Sequence, residues 1–297
     1  MNVLISGASG LVGTALIPAL VSRGDRVIRL VRHAVEPGAP EIEWHPGSRL
    51  DPETLEGFDA VIHLAGENIF GRWTRERKSS IRQSRVGGAQ TLSDAIAGCQ
   101  RAPRVFLSAS AIGYYGSRGE ESLDEESSSG AGFLAEVARE WEDATSSARR
   151  AGVRVVNLRF GVVLSKAGGA LAKMLTPIRL GLGGRLGSGQ QFFSWISIDD
   201  TVSAILFALD NERVRGAVNL TAPAPVTNAE FTKTLARVLH RPAIFSLPLF
   251  IPTLVFGKEM TVETLAASQR VFPAKLAAAG YNFRHPELEG ALRDLLA

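Results

Sequence analysis

The chain is poor in cysteine and in long apolar runs, and each shortage excludes a class of protein. It has one cysteine, Cys99, among 297 residues, so neither an intramolecular disulfide nor a cysteine-based zinc cluster can form, and we predict no metal. The most apolar stretch, residues 247–256, is too short to span a bilayer. The first residues lead directly into a strand and leave no place for a signal peptide. We therefore expect a cytoplasmic protein with no membrane partner.

The chain also has little excess of one charge over the other. The formal net charge is +3, an excess too mild to indicate a nucleic-acid-binding protein. The run of residues 72–85 is locally basic, with six Arg or Lys against one Glu. We interpret it as a solvated helix face, although one or two of its charges could lie near a bound ligand. With 45% hydrophobic residues, the chain can bury a full-sized core.

The clearest pattern is a glycine triplet near the amino end, Gly7-Ala8-Ser9-Gly10-Leu11-Val12-Gly13. A short apolar run, residues 2–6, precedes it, and a helical period of apolar residues follows. A second strand-like run comes at residues 26–31. Glycines between a strand and a helix permit a tight turn and a close approach of the backbone to a pyrophosphate. In this βαβ context the motif predicts a dinucleotide-binding site.

The residue after the second strand indicates which dinucleotide binds. In NAD sites an acid about 20 residues beyond the glycines binds the ribose 2′-hydroxyl. Here the strand is followed by Arg32 and His33, and the first acid is Glu36. A guanidinium pairs with a 2′-phosphate, which a carboxylate would repel. We predict that Arg32 binds this phosphate and that the cofactor is NADP; a solvated arginine at a strand end is the alternative.

Strands and helices alternate along most of the chain. Further strand-like runs lie at 42–44, 60–64, 104–108, 153–159 and 192–200, and helical patterns at 86–97, 133–149, 171–180 and 201–209. We predict an α/β fold with a Rossmann-type doubly wound parallel sheet in residues 1–221. Residues 222–297, with a contribution from the glycine-rich segment 165–190, would form a small, mainly helical C-terminal substrate lobe at the carboxyl ends of the strands.

The chain lacks Tyr-x-x-x-Lys, the acid/base pair that a hydride-transfer enzyme of this fold usually carries. At the end of the fifth predicted strand it has instead Ser108-Ala109-Ser110-Ala111-Ile112-Gly113-Tyr114-Tyr115-Gly116. Two hydroxyls followed by two phenols can polarise a carbonyl or donate a proton. We therefore name Ser110, Tyr114 and Tyr115 as candidate catalytic residues. Strand-end capping by the serines, with packing of the tyrosines, is the alternative.

These segments together resemble the extended, atypical short-chain dehydrogenase/reductases of the NAD(P)-dependent epimerase/dehydratase type. More narrowly, the chain is similar to an uncharacterised epimerase-family subgroup that has a C-terminal domain of unknown function. The similar segments cover nearly the whole chain and lie at residues 7–13, 63–69, 71–74, 84–85, 110–116, 158–164, 195–200, 219–223 and 268–273.

The resemblance implies a conserved cofactor site and an altered reaction site. The expected cofactor-binding residues are Gly7, Ser9, Gly10, Leu11, Val12, Gly13, Arg32, His63, Leu64, Ala65, Gly66, Ser108 and Arg159. Residues 63–66 would line the adenosine and ribose side, and Ser108 and Ser110 would face the nicotinamide. Where the superfamily carries its tyrosine and lysine, this chain has Phe133 and Val137. Either Tyr114 or Tyr115 substitutes, or the reaction uses no tyrosine.

Four further residues are predicted to contact substrate: Glu67, Asn68, Gln191 and Trp195. For Gln191 and Trp195, loop structure and core packing are the alternatives. The adjacent acids Asp199 and Asp200 are better explained by helix capping than by acid/base chemistry. We interpret His63 as a satisfied buried polar group rather than a base.

Three functions are compatible with these patterns. The first is an NADP-dependent oxidoreductase or epimerase acting on a polar carbonyl or sugar-like small molecule, as a monomer or homodimer. The second is a non-catalytic NADP(H)-binding redox sensor or regulatory protein, which the missing Tyr/Lys pair favours. A nucleic-acid-binding role for the basic run is a distant third.

Overall fold

The computed structural model describes residues 1–297, and strands and helices alternate through most of the chain. The strands are β1 (Asn2–Ser6), β2 (Arg26–Val31), β3 (Glu41–Glu43), β4 (Ala60–His63), β5 (Val105–Ala111), β6 (Ser122–Leu123), β7 (Arg154–Phe160), β8 (Val162–Ser165), β9 (Gly184–Leu186), β10 (Phe192–Phe193), β11 (Trp195–Ser197), β12 (Gly216–Leu220), β13 (Val226–Thr227), β14 (Phe245–Leu247) and β15 (Arg270–Val271). The α-helices are α1 (Leu11–Ser22), α2 (Arg75–Gly98), α3 (Phe133–Asp143), α4 (Ser146–Arg150), α5 (Gly169–Arg179), α6 (Ile198–Asp210), α7 (Asn228–Val238), α8 (Phe250–Phe256), α9 (Lys258–Met260), α10 (Ala274–Ala278) and α11 (Leu288–Leu296). Short 3-10 helices at Pro52–Leu55 and Ile112–Tyr115 and a π-helical turn at Thr261–Leu265 complete the set.

Seven parallel strands form the central sheet, in the order β3-β2-β1-β4-β5-β7-β12. The chain runs outward from β1 to β3 and then returns to β4, so the order reverses between β1 and β4. In an open α/β sheet, ligands bind outside the carboxyl ends of the strands at such a reversal. The predicted Rossmann-type doubly wound sheet is confirmed, and the glycine-rich turn after β1 lies at the expected crevice.

Apolar side chains cover both faces of this sheet. One cluster of 20 buried residues packs the sheet against α1 and α6. A second cluster of 13 buried residues packs the opposite face against α2 and α4. Because both faces are buried, the strands appear in the sequence as continuous apolar runs rather than alternating patterns.

Two predicted helix boundaries are wrong for local reasons. Helix α2 begins at Arg75 rather than at residue 86, because the Thr74 hydroxyl accepts the backbone N–H of Arg77 and caps the helix there. Most of the basic run therefore lies on the first turns of α2. The single helix predicted at 133–149 is two helices, α3 and α4. The break lies where the Thr145 hydroxyl donates to the carbonyl oxygen of Glu142 at 2.6 Å.

The start of α6 also differs from the expectation. Neither Asp199 nor Asp200 is its N-cap, because Ser197 holds that position and accepts the backbone N–H of Asp200 at 3.0 Å. Asp200 instead accepts backbone N–H groups of Arg284 and His285, at 2.7 and 2.9 Å. This buried carboxylate therefore attaches the C-terminal region to the start of α6.

The C-terminal region has a core of its own. Thirteen buried residues from α5, β11, α7, α11 and neighbouring segments form it. The region is mainly helical, as expected, but its short strands β13, β14 and β15 pair with β10, β9 and β6. The pairing of β14 with β9 joins the glycine-rich segment to this lobe. No helix combines the length and the apolarity that crossing a lipid bilayer requires.

Candidate active site

The turn between β1 and α1 is closely packed around its glycines. Gly7 has a φ of +74°, and a Cβ there would lie 2.5 Å from the carbonyl carbon of Leu64. A Cβ at Gly13 would lie 2.3 Å from the carbonyl oxygen of Gly7, so only glycine permits this approach. Helix α1 follows Gly10 and has no side-chain cap. Its first N–H groups are therefore available to a ligand, an arrangement that suits a pyrophosphate.

Arg32 directly follows β2 and is exposed at the same edge of the sheet. No carboxylate lies within ion-pair distance of its guanidinium, whereas Arg29, within β2, pairs with Glu41 at 2.7 Å. The geometry leaves Arg32 free to bind an anion beyond the glycine turn. Its assignment to the 2′-phosphate stays a prediction.

One row of polar residues crosses the sheet near its carboxyl edge: Ser6, His63, Ser108 and Asn157, aligned by strand register. His63 is fully buried, with its Nδ1 2.6 Å from Ser6 Oγ and its Nε2 without a partner. Burial lowers the pKa of His63 to about 4, so the ring is neutral at pH 7. The side chains of His63 and Ser108 have no exposed surface. Their predicted cofactor contacts are corrected accordingly, because neither residue presents any surface to a ligand.

The next row aligns Ser110 of β5 with Arg159 of β7, and Arg159 with Asn219 of β12. Arg159 is buried and donates from Nε and Nη2 to both carboxylate oxygens of Glu142, at 2.7 and 2.8 Å. Burial lowers the pKa of Arg159, but the hydrogen bonds and charge of Glu142 outweigh it and raise that pKa overall. Ser110 is only 2% exposed, and its Oγ donates to the same carboxylate at 2.7 Å. Its catalytic role stays a prediction. Arg159 is thus held in a buried ion pair, and its predicted contact with the cofactor stays a prediction.

The two tyrosines after β5 differ in accessibility. Tyr115 is fully buried; its hydroxyl donates to Asn219 Oδ1 at 2.8 Å and accepts from Arg159 Nη1 at 2.9 Å. Burial raises the pKa of Tyr115 to about 12. Tyr115 therefore supports the network and cannot reach a substrate, which corrects its assignment as a catalytic residue. Tyr114 is half-buried, with its ring centroid 3.5 Å from Arg159 Cζ, so it is the tyrosine that a ligand can reach.

Phe133 and Val137, which the family resemblance aligns with the missing Tyr/Lys pair, are packed among apolar side chains. Phe133 and Val137 are buried, and the Phe133 ring meets Trp73 edge-on with centroids 5.2 Å apart. The backbone N–H groups of Phe133 and Leu134 donate to the Glu263 carboxylate at 3.0 and 2.8 Å. The C-terminal lobe therefore caps α3 at this position, and the side chains of Phe133 and Val137 themselves offer no acid or base.

Glu67 and Asn68 lie at the mouth of the crevice, after β4. Asn68 is exposed, and its Oδ1 accepts the backbone N–H of Phe70 at 2.8 Å. The Glu67 carboxylate pairs with Arg77 at 3.0 Å. Both side chains remain accessible to a ligand, and their roles stay predictions.

The other two predicted substrate residues have structural contacts instead. Gln191 donates from Nε2 to the carbonyl oxygens of Leu186 and Leu265, at 3.1 and 3.4 Å, and so ties the glycine-rich segment to the lobe. Trp195 is fully buried in the lobe core and donates its indole N–H to the Ala224 carbonyl oxygen at 3.1 Å. The prediction that Trp195 contacts substrate is wrong, because its ring has no exposed face.

Arg85 is a further candidate site residue, which the sequence singled out only as a member of the basic run 72–85. It lies on α2 beneath the loop after β4, where a Cβ on exposed Gly66 would be 3.4 Å from Arg85 Cζ. Its Nη1 donates to the carbonyl oxygen of Ile81 at 3.1 Å, and its Cζ is 5.3 Å from the Trp141 ring centroid. Burial lowers the pKa of Arg85 to about 10, which leaves it charged at pH 7. The basic run 72–85 was the signal for it, since one or two of those charges were expected near a ligand.

Two family models match the chain. The model of the NAD dependent epimerase/dehydratase family matches residues 3–221. A model of a domain of unknown function (DUF1731) matches residues 247–295. The resemblance inferred from the motifs is thereby confirmed, including its C-terminal domain.

Similar proteins occur in bacteria and mammals. The epimerase family protein Mb2239 of Mycobacterium bovis is 44% identical over 292 residues, which cover 98% of this chain and 96% of the relative. The human epimerase family protein SDR39U1 is 38% identical over 303 residues, which cover 100% of both proteins.

Two solved structures share both fold and sequence with the chain. Human SDR39U1, crystallised with NADPH, has a TM-score of 0.88 at 35% identity over 99% of each chain. A nucleoside-diphosphate sugar epimerase from Corynebacterium glutamicum has a TM-score of 0.82 at 37% identity. That alignment covers 99% of this chain and 58% of the longer epimerase.

Proposed function

Because this chain belongs to the NAD dependent epimerase/dehydratase family, we propose that it is an NADP(H)-dependent oxidoreductase or epimerase. Its substrate is a polar carbonyl or sugar-like small molecule. The observation that carries the proposal is the sheet order, which puts the glycine turn after β1 and the Ser110 and Tyr114 segment at the end of β5 at the same carboxyl edge, two strands apart. We take the crevice at this edge as the site.

The residues of the crevice fit NADP(H). The turn at Gly7 and Gly13 directs the free N–H groups of α1 toward a pyrophosphate, and Arg32 pairs with the 2′-phosphate. The predicted cofactor agrees with the NADPH that the human relative contains. When bound, the nicotinamide supplies or accepts a hydride.

Ser110 and Tyr114 orient the reacting oxygen of the substrate. The Ser110 hydroxyl donates a hydrogen bond to Glu142, so the lone pairs of its oxygen are what it offers to a substrate alcohol. Tyr114, held against Arg159 by its ring, supplies the proton donor that a carbonyl substrate needs. We assign Glu142, Arg159 and Tyr115 as positioning residues because each of them contacts Ser110 or Tyr114.

The polar substrate class rests on the charges near the crevice. Arg85 keeps donors that no protein acceptor uses, beside Gly66, and Glu67 and Asn68 follow in the same loop. In this proposal residues 1–221 bind the cofactor, and residues 222–297 with 165–190 enclose the substrate. We further propose that the protein is cytoplasmic and that it is a monomer or a homodimer.

Turnover of polar carbonyls and sugar nucleotides tests the assignment. NADPH absorbance follows reduction, and chromatography of products follows epimerisation, in which no net NADPH is consumed. Tyr114→Phe should lower kcat about 100-fold and Ser110→Ala about tenfold, since each removes one aligned hydroxyl. Both variants should bind NADPH as wild type does. Tyr281→Phe, which removes a phenol hydroxyl outside the crevice, is the matched control. A substrate turned over equally well by Ser110→Ala and Tyr114→Phe refutes the catalytic assignment.

A non-catalytic NADP(H) sensor is the second candidate function. The capping of α3 by Glu263 favours it, because the lobe contacts the position where the superfamily carries its catalytic tyrosine. In that case NADPH and NADP⁺ should change hydrogen exchange at Phe133 and Leu134 differently, with no turnover on the panel.

A further inference from the structure

The C-terminal lobe exposes an apolar surface that its own fold leaves uncovered. We define the apolar face by ten side chains, each 37–80% exposed: Leu180, Leu182, Ile244, Phe245, Leu247, Leu249, Phe250, Ile251, Leu254 and Val255. Only three other large apolar side chains of the protein are exposed. At roughly 100 Å² for each half-exposed side chain, the face approaches about 1,000 Å², well above the few hundred Å² usual on a monomer.

The ten side chains lie on neighbouring segments. The turn with Leu180 and Leu182 meets the segment before β14, because Arg241 Nε donates to the carbonyl oxygen of Arg179 at 3.0 Å. The β14–β9 pairing puts Phe245 opposite Gly184 and Leu247 opposite Leu186. A Cβ on Gly187 would lie 3.1 Å from Leu249 Cγ, which connects this pair to the start of α8. In α8 the exposed residues 250, 251, 254 and 255 share one helix face, and Pro252 is buried behind them. The helix therefore turns its apolar face toward solvent, the reverse of a helix packed on a core.

The two segments that carry the apolar face are positively charged without any negative charge. Residues 171–189 and 239–255 contain no Asp or Glu, and their cations are Lys173, Arg179, Arg185 and Arg241; beyond the face, Lys258 is followed by Glu259. Arg185 lines a cavity of about 490 Å³ together with Lys233, Ile244 and Phe245. Lys173 Nζ lies 3.8 Å from the ring centroid of Phe70, which in turn packs against Phe256 of α8. Cations therefore border the apolar face at both ends.

We propose that the apolar face docks on a lipid bilayer that carries anionic headgroups. The apolar side chains enter the interface while the surrounding cations meet the headgroups. A second copy of the chain fits less well, because a two-fold contact would bring the same cations together. The protein lies on the bilayer and does not cross it. This departs from the expectation of no membrane partner, which rested on the lack of a spanning segment.

Vesicle co-sedimentation of the full-length protein tests the proposal. We expect binding to phosphatidylcholine vesicles that contain phosphatidylglycerol, and about tenfold weaker binding to phosphatidylcholine alone. Changing both Phe250→Ser and Leu254→Ser should weaken binding by about tenfold or more, since their side chains supply buried area. Arg185→Ser should weaken binding and reduce its dependence on salt. Val21→Ser is the matched control, because Val21 is 57% exposed on α1 outside the face.

Thermal unfolding shows whether the double variant keeps its fold, and Ile244→Ser provides a second test at the most exposed position of the face. Absence of binding to anionic vesicles overturns the proposal, and so does equal binding by wild type and a folded face variant. A dimer in light scattering that the double variant abolishes, without vesicle binding, assigns the face to a second copy and overturns it as well. Turnover and NADPH binding are measured separately, so failure here leaves the proposed enzymatic function untouched.

Discussion

The two ends of the crevice are built in different ways. At the glycine end, the proposed ligand contacts come from backbone N–H groups and exposed Arg32, and the geometry depends on close contacts at Gly7 and Gly13. At the reaction end, Ser110 and Tyr114 are fixed by a buried ion pair whose members come from α3 and β7. A site formed by backbone groups of one turn corresponds to a short contiguous sequence motif. A site made from side chains depends on register and helix packing, which no short motif records.

The largest expected effect comes from breaking the ion pair at the reaction end. Glu142→Gln should lower the free energy of unfolding by about 3–5 kcal/mol, because it leaves Arg159 buried without its carboxylate. Glu140→Gln on the same helix should cost at most about 1 kcal/mol, since its pair with Arg82 is exposed. Urea denaturation of both variants measures the difference. Equal losses would mean that the reaction end is not held by this pair.

Acid should destabilise the protein through His63, which lies between the two ends. Its pKa is lowered by burial from 6.5 to about 4, so the folded state holds the neutral ring and the unfolded state binds the proton more readily. This contribution to stability is present above pH 6.5 and declines as pH falls toward about 4, by about 3 kcal/mol in total.

Denaturation between pH 7 and 4 measures that slope. His63→Gln should remove most of it, whereas His33→Asn, at an exposed histidine, should leave it unchanged. A slope that persists in His63→Gln would show that other groups cause the acid sensitivity.

A single methyl group at the glycine end should impair cofactor binding. Gly13→Ala places a Cβ 2.3 Å from the Gly7 carbonyl oxygen, which forces the turn away from α1. We expect NADPH binding to weaken about 100-fold, equivalent to about 2.7 kcal/mol. Gly290→Ala, where a Cβ meets nothing within 4 Å, is the control and should bind NADPH normally. Fluorescence titration gives both constants, and unchanged binding by Gly13→Ala would separate the turn from the cofactor site.

The order of the elements could be predicted from the sequence. Both faces of the sheet are buried, so each strand appears as an apolar run, and the glycine turn after β1 is formed by residues adjacent in the chain. The sequence also predicted the cofactor and pointed to the glycine end as its site, because Gly7, Gly13 and Arg32 lie within one βαβ unit. Helix boundaries were predicted less accurately. The capping side chains of Thr74 and Ser197 set where α2 and α6 begin, and the periodicity of apolar residues does not reveal capping.

The reaction end could be predicted only in part. Ser110 lies near the end of β5 and Tyr114 follows it, so both could be named as candidates from one segment, but Glu142 comes from the end of α3 and Asn219 from β12, far away in the chain. Adjacent Tyr114 and Tyr115 look alike in sequence, and only the 3-10 turn that carries them buries one and leaves the other accessible. Trp195 likewise carries no local sign that its ring lies in the lobe core.

The most direct test of the account is a fluorescence titration of wild type and Arg32→Asp with NADPH and with NADH. The proposed site binds the 2′-phosphate through Arg32, so the substitution should weaken NADPH binding about 30-fold. NADH binding should change less than about threefold, because NADH has no phosphate at that position. Equal weakening of both cofactors, or no weakening of NADPH, would contradict an NADP-binding crevice organised around Arg32.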